Sequence, residues 1–241
     1  MSRVGIVTGG TRGIGKAISV ELSEAGHKVA ATYAGNDQAA EEFSEATGIA
    51  TYKFDVAVFD ECAAAVKKIA EDLGGPVQIL INNAGITRDS TLHRMGSDDW
   101  NAVLQTNLTS CYNMCRNVIE DMRESEFGRI VNIGSINGQA GQYGQVNYAA
   151  AKSGIHGFTK ALAQENAAKG ITVNAIAPGY VDTDMVRAVP EKVLEKIIAR
   201  IPVGRLGYAS DIAHATGFLV EEKTSFITGS TLSINGGQHM Y

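Results

Sequence analysis

The chain has few of the features that mark several common classes of protein. It contains only three cysteines, Cys62, Cys111 and Cys115, which excludes a full disulfide framework and favours a reducing, cytoplasmic compartment. It has no run of five basic residues and a formal net charge of −5, so we expect no general nucleic-acid-binding surface. Its first residues do not begin a signal-peptide pattern. The longest uncharged stretch, 130–151, is rich in glycine and glutamine, so we expect no membrane span.

Glycine, in contrast, is abundant. The 27 glycines exceed by about ten the number expected from an average usage near 7%, and they lack the three-residue period of collagen. Such an excess by itself predicts only flexible backbone, and the positions of the glycines decide its meaning.

Apolar runs of strand length alternate with amphipathic helical stretches along the whole chain. This pattern predicts a single α/β domain over residues 1–241, a doubly wound Rossmann fold with a seven-stranded parallel sheet and helices on both faces. The predicted strands are Val4–Val7, Val29–Thr32, Thr51–Phe54, Val77–Ile81, Ile130–Ile133, Thr172–Ile176 and Thr231–Ile234. The predicted helices are Gly13–Ala25, Asp37–Ala46, Phe59–Leu73, Ser97–Arg123, Asn147–Lys169 and Ser210–Val220. The stretch 182–206 lacks a strand, carries a short helical pattern near Glu191–Arg200 and is predicted to be a lid.

A glycine-rich loop follows the first predicted strand and opens the first helix. Thr8-Gly9-Gly10-Thr11-Arg12-Gly13-Ile14-Gly15 has the spacing that lets a pyrophosphate approach backbone N–H groups at a helix N-terminus. The segment Gly10 to Lys16 also fits the start of a P-loop, but Ala17 stands where that motif needs a hydroxyl for Mg²⁺. We therefore favour a dinucleotide over a nucleoside triphosphate.

The end of the second strand lacks the carboxylate that accepts hydrogen bonds from the ribose of NAD. It reads Thr32-Tyr33-Ala34-Gly35-Asn36, and we expect the later Asp37 to cap the next helix. Because Arg12 can meet a phosphate, the sequence favours NADP(H) as the cofactor.

Tyr148 and Lys152 are four residues apart in a predicted helix and therefore share one face of it. Ser135 follows the fifth strand, at the carboxyl edge where doubly wound sheets place their sites, although an ordinary strand-end serine remains an alternative. A phenol exchanges protons with a substrate oxygen at neutral pH when its pKa falls by about 3 units, a shift that a nearby ammonium favours.

Taken together, these motifs resemble the short-chain dehydrogenase/reductase family of classical type. The matching segments are Thr8–Gly15, Asn82-Asn83-Ala84-Gly85, Asn107, Ser135, Tyr148 with Lys152, Pro178-Gly179 and Asn235-Gly236-Gly237. The resemblance implies that Tyr148 is the general acid/base, that Lys152 lowers its pKa and holds the nicotinamide ribose, that Ser135 orients the carbonyl and that Asn107 anchors a water. It also implies cofactor contacts from Gly9, Thr11, Arg12, Gly13, Ile14, Gly15, Tyr33, Asp55, Val56, Asn83, Ala84, Gly85, Ile86, Thr87, Tyr148, Lys152, Pro178, Gly179, Tyr180, Val181 and Thr183. Asp55 equally suits a turn.

Within the family, the segment 137–145, with glutamines at three-residue intervals, resembles the branch that reduces acetoacetyl-CoA with NADPH for polyhydroxybutyrate synthesis. The resemblance implies substrate contacts from Asp89, Ser135, Gln142, Tyr143, Gln145 and Tyr180, and Arg88 and Arg94 are either attractors of CoA phosphates or ordinary surface arginines. Members of this branch usually carry an arginine after the second strand, where this chain has Asn36-Asp37-Gln38.

Two other functions fit the same motifs. Reductases of 3-oxoacyl carrier-protein thioesters share every catalytic residue, but they commonly have an arginine where this chain has Gln164. A catalytically silent, NADP-sensing regulator tends to lose the tyrosine or the lysine, and both are present here. No histidine spacing suggests a metal, and Cys111 and Cys115 are expected to be buried thiols. The resemblance also implies a homotetramer packed through the two longest helices.

Overall fold

The computed structural model describes residues 2–187 and 189–240, apart from the side chains of 184 and 185. It contains a seven-stranded sheet with the order β3-β2-β1-β4-β5-β6-β7, and every neighbouring pair is parallel. The strands are β1 Val4–Val7, β2 Lys28–Tyr33, β3 Ala50–Lys53, β4 Val77–Asn82, β5 Gly128–Ile133, β6 Ile171–Pro178 and β7 Thr231–Ile234. The predicted fold class is therefore confirmed.

Ten α-helices lie within the described residues. They are α1 Gly13–Glu24, α2 Asp37–Thr47, α3 Phe59–Leu73, α4 Ser97–Leu104, α5 Ser110–Glu124, α6 Ile136–Ala140, α7 Val146–Asn166, α8 Asp184–Arg187, α9 Glu191–Ile198 and α10 Ala209–Val220. The predicted helix Ser97–Arg123 is divided into α4 and α5 by a π-helical turn, Gln105–Thr109. The short helix α6 was not predicted, because its segment is uncharged and rich in glycine and glutamine. None of the described helices is both long and apolar enough to span a bilayer.

Both faces of the sheet are buried, which explains why its strands are apolar along their whole length. Ile6, Leu80 and Ile130 pack on one face with α3 and α5, whereas their chain neighbours Val7, Ile79 and Val131 pack on the other with α1 and α10. The alternation follows from the two-residue period of a strand. Because β1 and β4 are neighbours while their connections leave in opposite directions, a crevice opens between them at the carboxyl edge of the sheet.

The segment 182–206 contains the predicted short helix, observed as α9, and the four-residue α8. No residue of α9 is buried, although its sequence is strongly amphipathic. Its entry and exit are joined at the base, because Asp182 N donates to the carbonyl of Gly207 and Gly207 N donates to the carbonyl of Tyr180.

Candidate active site

The glycine loop lies at the carboxyl end of β1 and is held by hydrogen bonds to the loop after β4. The hydroxyl of Thr8 accepts hydrogen bonds from the backbone N–H groups of Asn83 (2.9 Å) and Ala84 (3.0 Å). The Asn83 side chain donates to the carbonyls of Thr8 (2.9 Å) and Gly9 (3.2 Å). Thr8 and Asn83 therefore lock the loop after β1 to the loop after β4. Thr8 was not among the predicted site residues, although its hydroxyl is the centre of this arrangement.

The loop has no space for larger residues at two of its glycines, and it leads into a helix whose first N–H groups are uncapped. A Cβ on Gly15 would lie 2.1 Å from the carbonyl oxygen of Gly9, and Gly13 has a φ of +53°, so neither position suits a larger residue. Helix α1 begins at Gly13 without a side-chain cap at Arg12 and without an acidic residue in its first turn. Its first N–H groups are thus available to an anion, as a dinucleotide cofactor requires. The exposed side chain of Arg12 lies at the same end of the helix.

Tyr148, Ser135 and Lys152 come together as the spacing predicts. The Tyr148 hydroxyl forms a hydrogen bond with the Ser135 side chain. The pKa of Tyr148 lies above its ordinary value, chiefly because the phenol is buried, and this bond opposes the increase. The ammonium of Lys152 lies 5.6 Å from the centre of the Tyr148 ring and donates to the carbonyl of Ile133 at 2.7 Å. Because Lys152 is buried, its pKa falls to about 8. That Lys152 lowers the pKa of Tyr148 stays a prediction.

Glycine at position 138 allows α6 to pass against this lysine. A Cβ there would lie 2.7 Å from the carbonyl carbon of Lys152. Ser135 is the N-cap of α6 and accepts from the N–H of Asn137 at 3.1 Å, so the serine oxygen is held by the turn that it begins.

Asn107 lies in the π-helical turn and has an unused acceptor. Its side-chain amide donates to the carbonyls of Ile86 and Val103, both at 2.9 Å. Its Oδ1 is buried without a partner among the described residues, and a Cβ on Gly85 would lie 2.5 Å from it and 3.6 Å from Lys152 Nζ. A buried acceptor next to an ammonium is a fitting site for a bound water or cofactor hydroxyl.

The predicted substrate residues form a polar chain that leads back to Ser135. Gln145 donates to the carboxylate of Asp89 at 2.8 Å and accepts from the side chain of Asn137 at 2.9 Å. Asn137, which was not predicted as a site residue, thus joins Gln145 to the serine turn. Gln142 and Tyr143 are exposed beside it, whereas Gln139 points to Ser233 on β7 and does not join this group.

Asn147, which was also not predicted, holds the start of α7 in place. Its buried side chain donates to the carbonyl of Arg88 at 3.0 Å, and its Oδ1 accepts from the N–H of Tyr148 at 2.8 Å. An asparagine immediately before the tyrosine is the only sequence signal for this contact.

The loop after β6 closes the site from the other side. Gly179 N donates to the carbonyl of Ile234, and a Cβ on Gly179 would lie 2.8 Å from Asn235, which explains the need for glycine after Pro178. Thr183 approaches the glycine loop, since a Cβ on Gly13 would lie 3.6 Å from its Cγ2. Tyr180 is half-buried, but the side chain of Val181 belongs to the core, which leaves only its backbone to meet a cofactor.

At the carboxyl ends of β2 and β3 the structure corrects one prediction. Asn36, and not Asp37, caps α2, because Asn36 Oδ1 accepts from the N–H of Ala39 at 3.0 Å. The carboxylate of Asp37 instead pairs with Lys53 at 2.8 Å. Asp55 accepts from the N–H of Ala57 at 2.9 Å, as its turn alternative predicts, while the side chain of Val56 is buried in the core.

For the remaining predicted site residues the structure gives mainly their position and burial. Thr11 is buried within the glycine loop, Ile14 packs against the core, and Ile86 and Thr87 are half-buried in the loop after β4. Arg88 and Arg94 are exposed near Asp89 in the chain. All three cysteines are free and buried, and burial raises the pKa of Cys111 to about 11. The described residues contain no cluster of three or more side chains that suits a metal ion.

The matches to known proteins cover nearly the whole chain. Residues 9–239 match the family described as "Enoyl-(Acyl carrier protein) reductase". An acetoacetyl-CoA reductase of Shinella zoogloeoides is 62% identical over 239 residues, and one of Rhizobium meliloti (strain 1021) is 59% identical over 240 residues, each alignment covering 99% of both chains. A 3-oxoacyl-[acyl-carrier-protein] reductase of Pseudomonas aeruginosa is 46% identical over 242 residues, 99% of this chain and 98% of that one.

The geometry and the comparisons agree. The glycine loop and the group formed by Ser135, Tyr148 and Lys152 lie at the carboxyl edge of the same sheet, and the similarity extends over almost all of the chain. The chain therefore belongs to the short-chain dehydrogenase/reductase family and is an oxidoreductase that uses a nicotinamide cofactor.

Proposed function

We propose that this protein reduces acetoacetyl-CoA to (R)-3-hydroxybutyryl-CoA with NADPH and so supplies the monomer for polyhydroxybutyrate synthesis. The observation that carries the proposal is full-length identity of 62% and 59% to proteins named acetoacetyl-CoA reductase, against 46% to the carrier-protein reductase. The polar chain from Asp89 to Ser135 supports it, because it places amide and carboxylate groups where a polar thioester approaches the tyrosine.

The chain's own residues supply proton transfer and orientation. When bound, the nicotinamide supplies the hydride that reduces the ketone carbon of the substrate. Tyr148 donates its proton to the carbonyl oxygen as the C=O π pair moves onto that oxygen, and Ser135 donates a hydrogen bond to the same atom. Ser135 and Tyr148 already share a hydrogen bond, so a ketone oxygen that replaces this contact meets two donors.

Lys152 and Asn107 assist the proton transfer from Tyr148. The buried ammonium holds the nicotinamide ribose hydroxyls and stabilises the negative charge that remains on Tyr148 after proton transfer. Lys152 then gives a proton back to the Tyr148 phenolate, and a water that donates to the free Oδ1 of Asn107 restores the proton on Lys152, with solvent as its source.

The surroundings complete the proposal. Gln145 and Asp89, with the exposed Gln142 and Tyr143, contact the acyl chain and pantetheine, and Arg88 and Arg94 attract the CoA phosphates. Segment 182–206 closes over the substrate as a lid. The enzyme acts as a cytoplasmic homotetramer packed through α5 and α7, which agrees with three free, buried thiols in each chain.

The second candidate is reduction of a 3-oxoacyl carrier-protein thioester, which the relative from Pseudomonas aeruginosa favours. Gln164 argues against it, because this exposed residue of α7 has no charge to meet an acidic carrier protein.

The test compares kcat/KM for acetoacetyl-CoA and for acetoacetyl carrier protein, each with NADPH and with NADH. We expect the highest value for the CoA ester with NADPH. A higher kcat/KM for the carrier-protein substrate would replace the first candidate with the second. An equal kcat/KM with NADH would retain the reaction but reject NADPH as the specific cofactor.

A further inference from the structure

The carboxyl ends of β2 and β3 carry a charged group that the proposed mechanism does not use. Tyr33 and Lys53 end these strands and are direct neighbours in the sheet register. Both carboxylate oxygens of Asp37 lie 2.8 Å from Lys53 Nζ, and the Tyr33 hydroxyl forms a hydrogen bond with the same carboxylate. The ammonium of Lys53 is thereby drawn from β3 towards the residues that follow β2.

This position borders the loop that receives the cofactor. Gly10 N donates to the carbonyl of Thr32 at 2.9 Å, and a Cβ on Gly10 would lie 2.9 Å from the Cβ of Ala31, so the glycine loop lies directly against the end of β2. In doubly wound folds the sugar of the adenosine half lies at the end of this strand. The 2′ position of that sugar therefore points to the surroundings of Tyr33, Asp37 and Lys53.

Few cations are available there. Residues 34–38 and the whole of α2 contain no lysine or arginine, and they contribute several carboxylates, of which Asp37 is nearest to the end of β2. Asp55 adds another acidic side chain just beyond β3. Arg12, on the far side of the loop, and Lys53 are the cations that can oppose this charge. Without them, a 2′-phosphate at this edge would meet net negative charge.

We propose that Lys53 binds the 2′-phosphate of NADP(H), and that Asp37 holds the ammonium in place until the phosphate replaces it. This inference rests on the proposed use of NADP(H). The Lys53 and Asp37 side chains are 51% and 65% exposed, so their ion pair contributes little stability and opens readily. A phosphate with two negative charges offers Lys53 a stronger acceptor than one carboxylate does.

The test measures binding of two fragments, 2′,5′-ADP and 5′-AMP, to the whole protein by isothermal titration calorimetry. These probes differ only in the 2′-phosphate, and their binding does not depend on catalysis. For Lys53→Met we expect the Kd of 2′,5′-ADP to rise about tenfold or more while that of 5′-AMP stays unchanged. For Asp37→Asn, which frees the ammonium and removes a negative charge, we expect 2′,5′-ADP to bind several-fold more tightly.

Lys68→Met is the matched control. Lys68 pairs with Asp72 at 3.0 Å, is 65% exposed and lies in the second half of α3. The Lys68→Met variant should leave the Kd of 2′,5′-ADP and the Kd of 5′-AMP unchanged. If the wild type prefers 2′,5′-ADP and Lys53→Met keeps that preference, Lys53 is not the determinant although NADP(H) remains the cofactor. Equal weakening of both fragments also overturns the inference. If the wild type binds the two fragments equally, the NADP(H) proposal itself fails, and the Lys53 inference fails with it.

Discussion

Lys152 donates a hydrogen bond of 2.7 Å from its ammonium to the carbonyl oxygen of Ile133, the last residue of β5. This bond joins β5, in the middle of the sheet, to α7 at a position four residues after Tyr148. The side chain of Lys152 is buried, and burial lowers its pKa from 10.5 to about 8. A charged lysine at this position therefore lowers the free energy of unfolding at neutral pH, and the active site needs that charge.

This cost predicts a specific pH dependence of stability. Between about pH 8 and about pH 10.5 the unfolded chain keeps the proton on Lys152 while the folded chain releases it, so the contribution of Lys152 to the free energy of unfolding increases with pH. The free energy of unfolding of the wild type minus that of Lys152→Met should rise by about 3 kcal/mol across this range. Urea unfolding of both proteins at equal concentration, from about pH 7 to about pH 11, measures it.

The comparison between the two proteins is necessary because other buried groups titrate in the opposite direction. Burial raises the pKa of Cys62 to about 12 and that of Cys111 to about 11, so both thiols lose stabilising free energy at alkaline pH. The contribution of Cys62 is common to both proteins and cancels in the difference. Cys111 interacts electrostatically with Lys152, so both proteins should also carry Cys111→Ser. A difference that does not change with pH would show that Lys152 keeps an ordinary pKa in the folded protein.

Tyr148→Phe should remove most of the activity and leave the cofactor site intact. The ring stays in place, but the proton donor is lost, so we expect kcat to fall by about 10² to 10⁴-fold with a nearly unchanged Kd for NADPH. Tyr112→Phe is the control, since this exposed tyrosine lies on α5 away from Ser135 and Lys152. Steady-state kinetics and fluorescence titration measure the two quantities. Turnover like that of the wild type would reject Tyr148 as the acid/base.

Gly138→Ala should impair catalysis through the backbone of α7. The added Cβ would lie 2.7 Å from the carbonyl carbon of Lys152, so α6 or α7 must shift. We expect kcat to fall on the order of a hundredfold, because small displacements of catalytic groups have large effects. Gly157→Ala, in α7, meets nothing within 4 Å and should instead raise stability by up to about 1 kcal/mol. Equal behaviour of the two variants in kinetics and thermal unfolding would contradict the packing argument.

Asn132→Ala should destabilise the fold without touching the reacting groups. The buried side chain of Asn132 accepts from Asn82 at 2.8 Å and donates to Thr159 at 2.9 Å, which joins β4, β5 and α7. Its removal leaves buried polar groups without partners, and we expect a loss of about 2 to 4 kcal/mol in urea unfolding. The exposed Asn101→Ala on α4 should change stability by less than about 0.5 kcal/mol. A similarly small loss for Asn132→Ala would mean that the chain of side-chain hydrogen bonds is dispensable.

Much of the fold could be predicted because its signals are local. The seven strands lie within two residues of their predicted bounds, since each is a short apolar run between turn residues. Tyr148, Lys152 and Ser135 met as predicted, because helical spacing and the end of a parallel strand constrain where side chains lie. The π-helical turn at Asn107 was missed, since its residues also suit an ordinary α-helix.

By itself, the sequence determined the order of the elements, the glycine loop and the chemical types present at the carboxyl edge of the sheet. Only the tertiary structure decided which of these side chains meet. Asp37 pairs with Lys53 instead of capping its helix, and Gln139 turns to Ser233 while Gln145 joins Asp89. The reason is physical: a period along the chain orients a side chain relative to its own element, but its partner comes from another strand or helix, 16 residues away for Asp37 and 94 for Gln139.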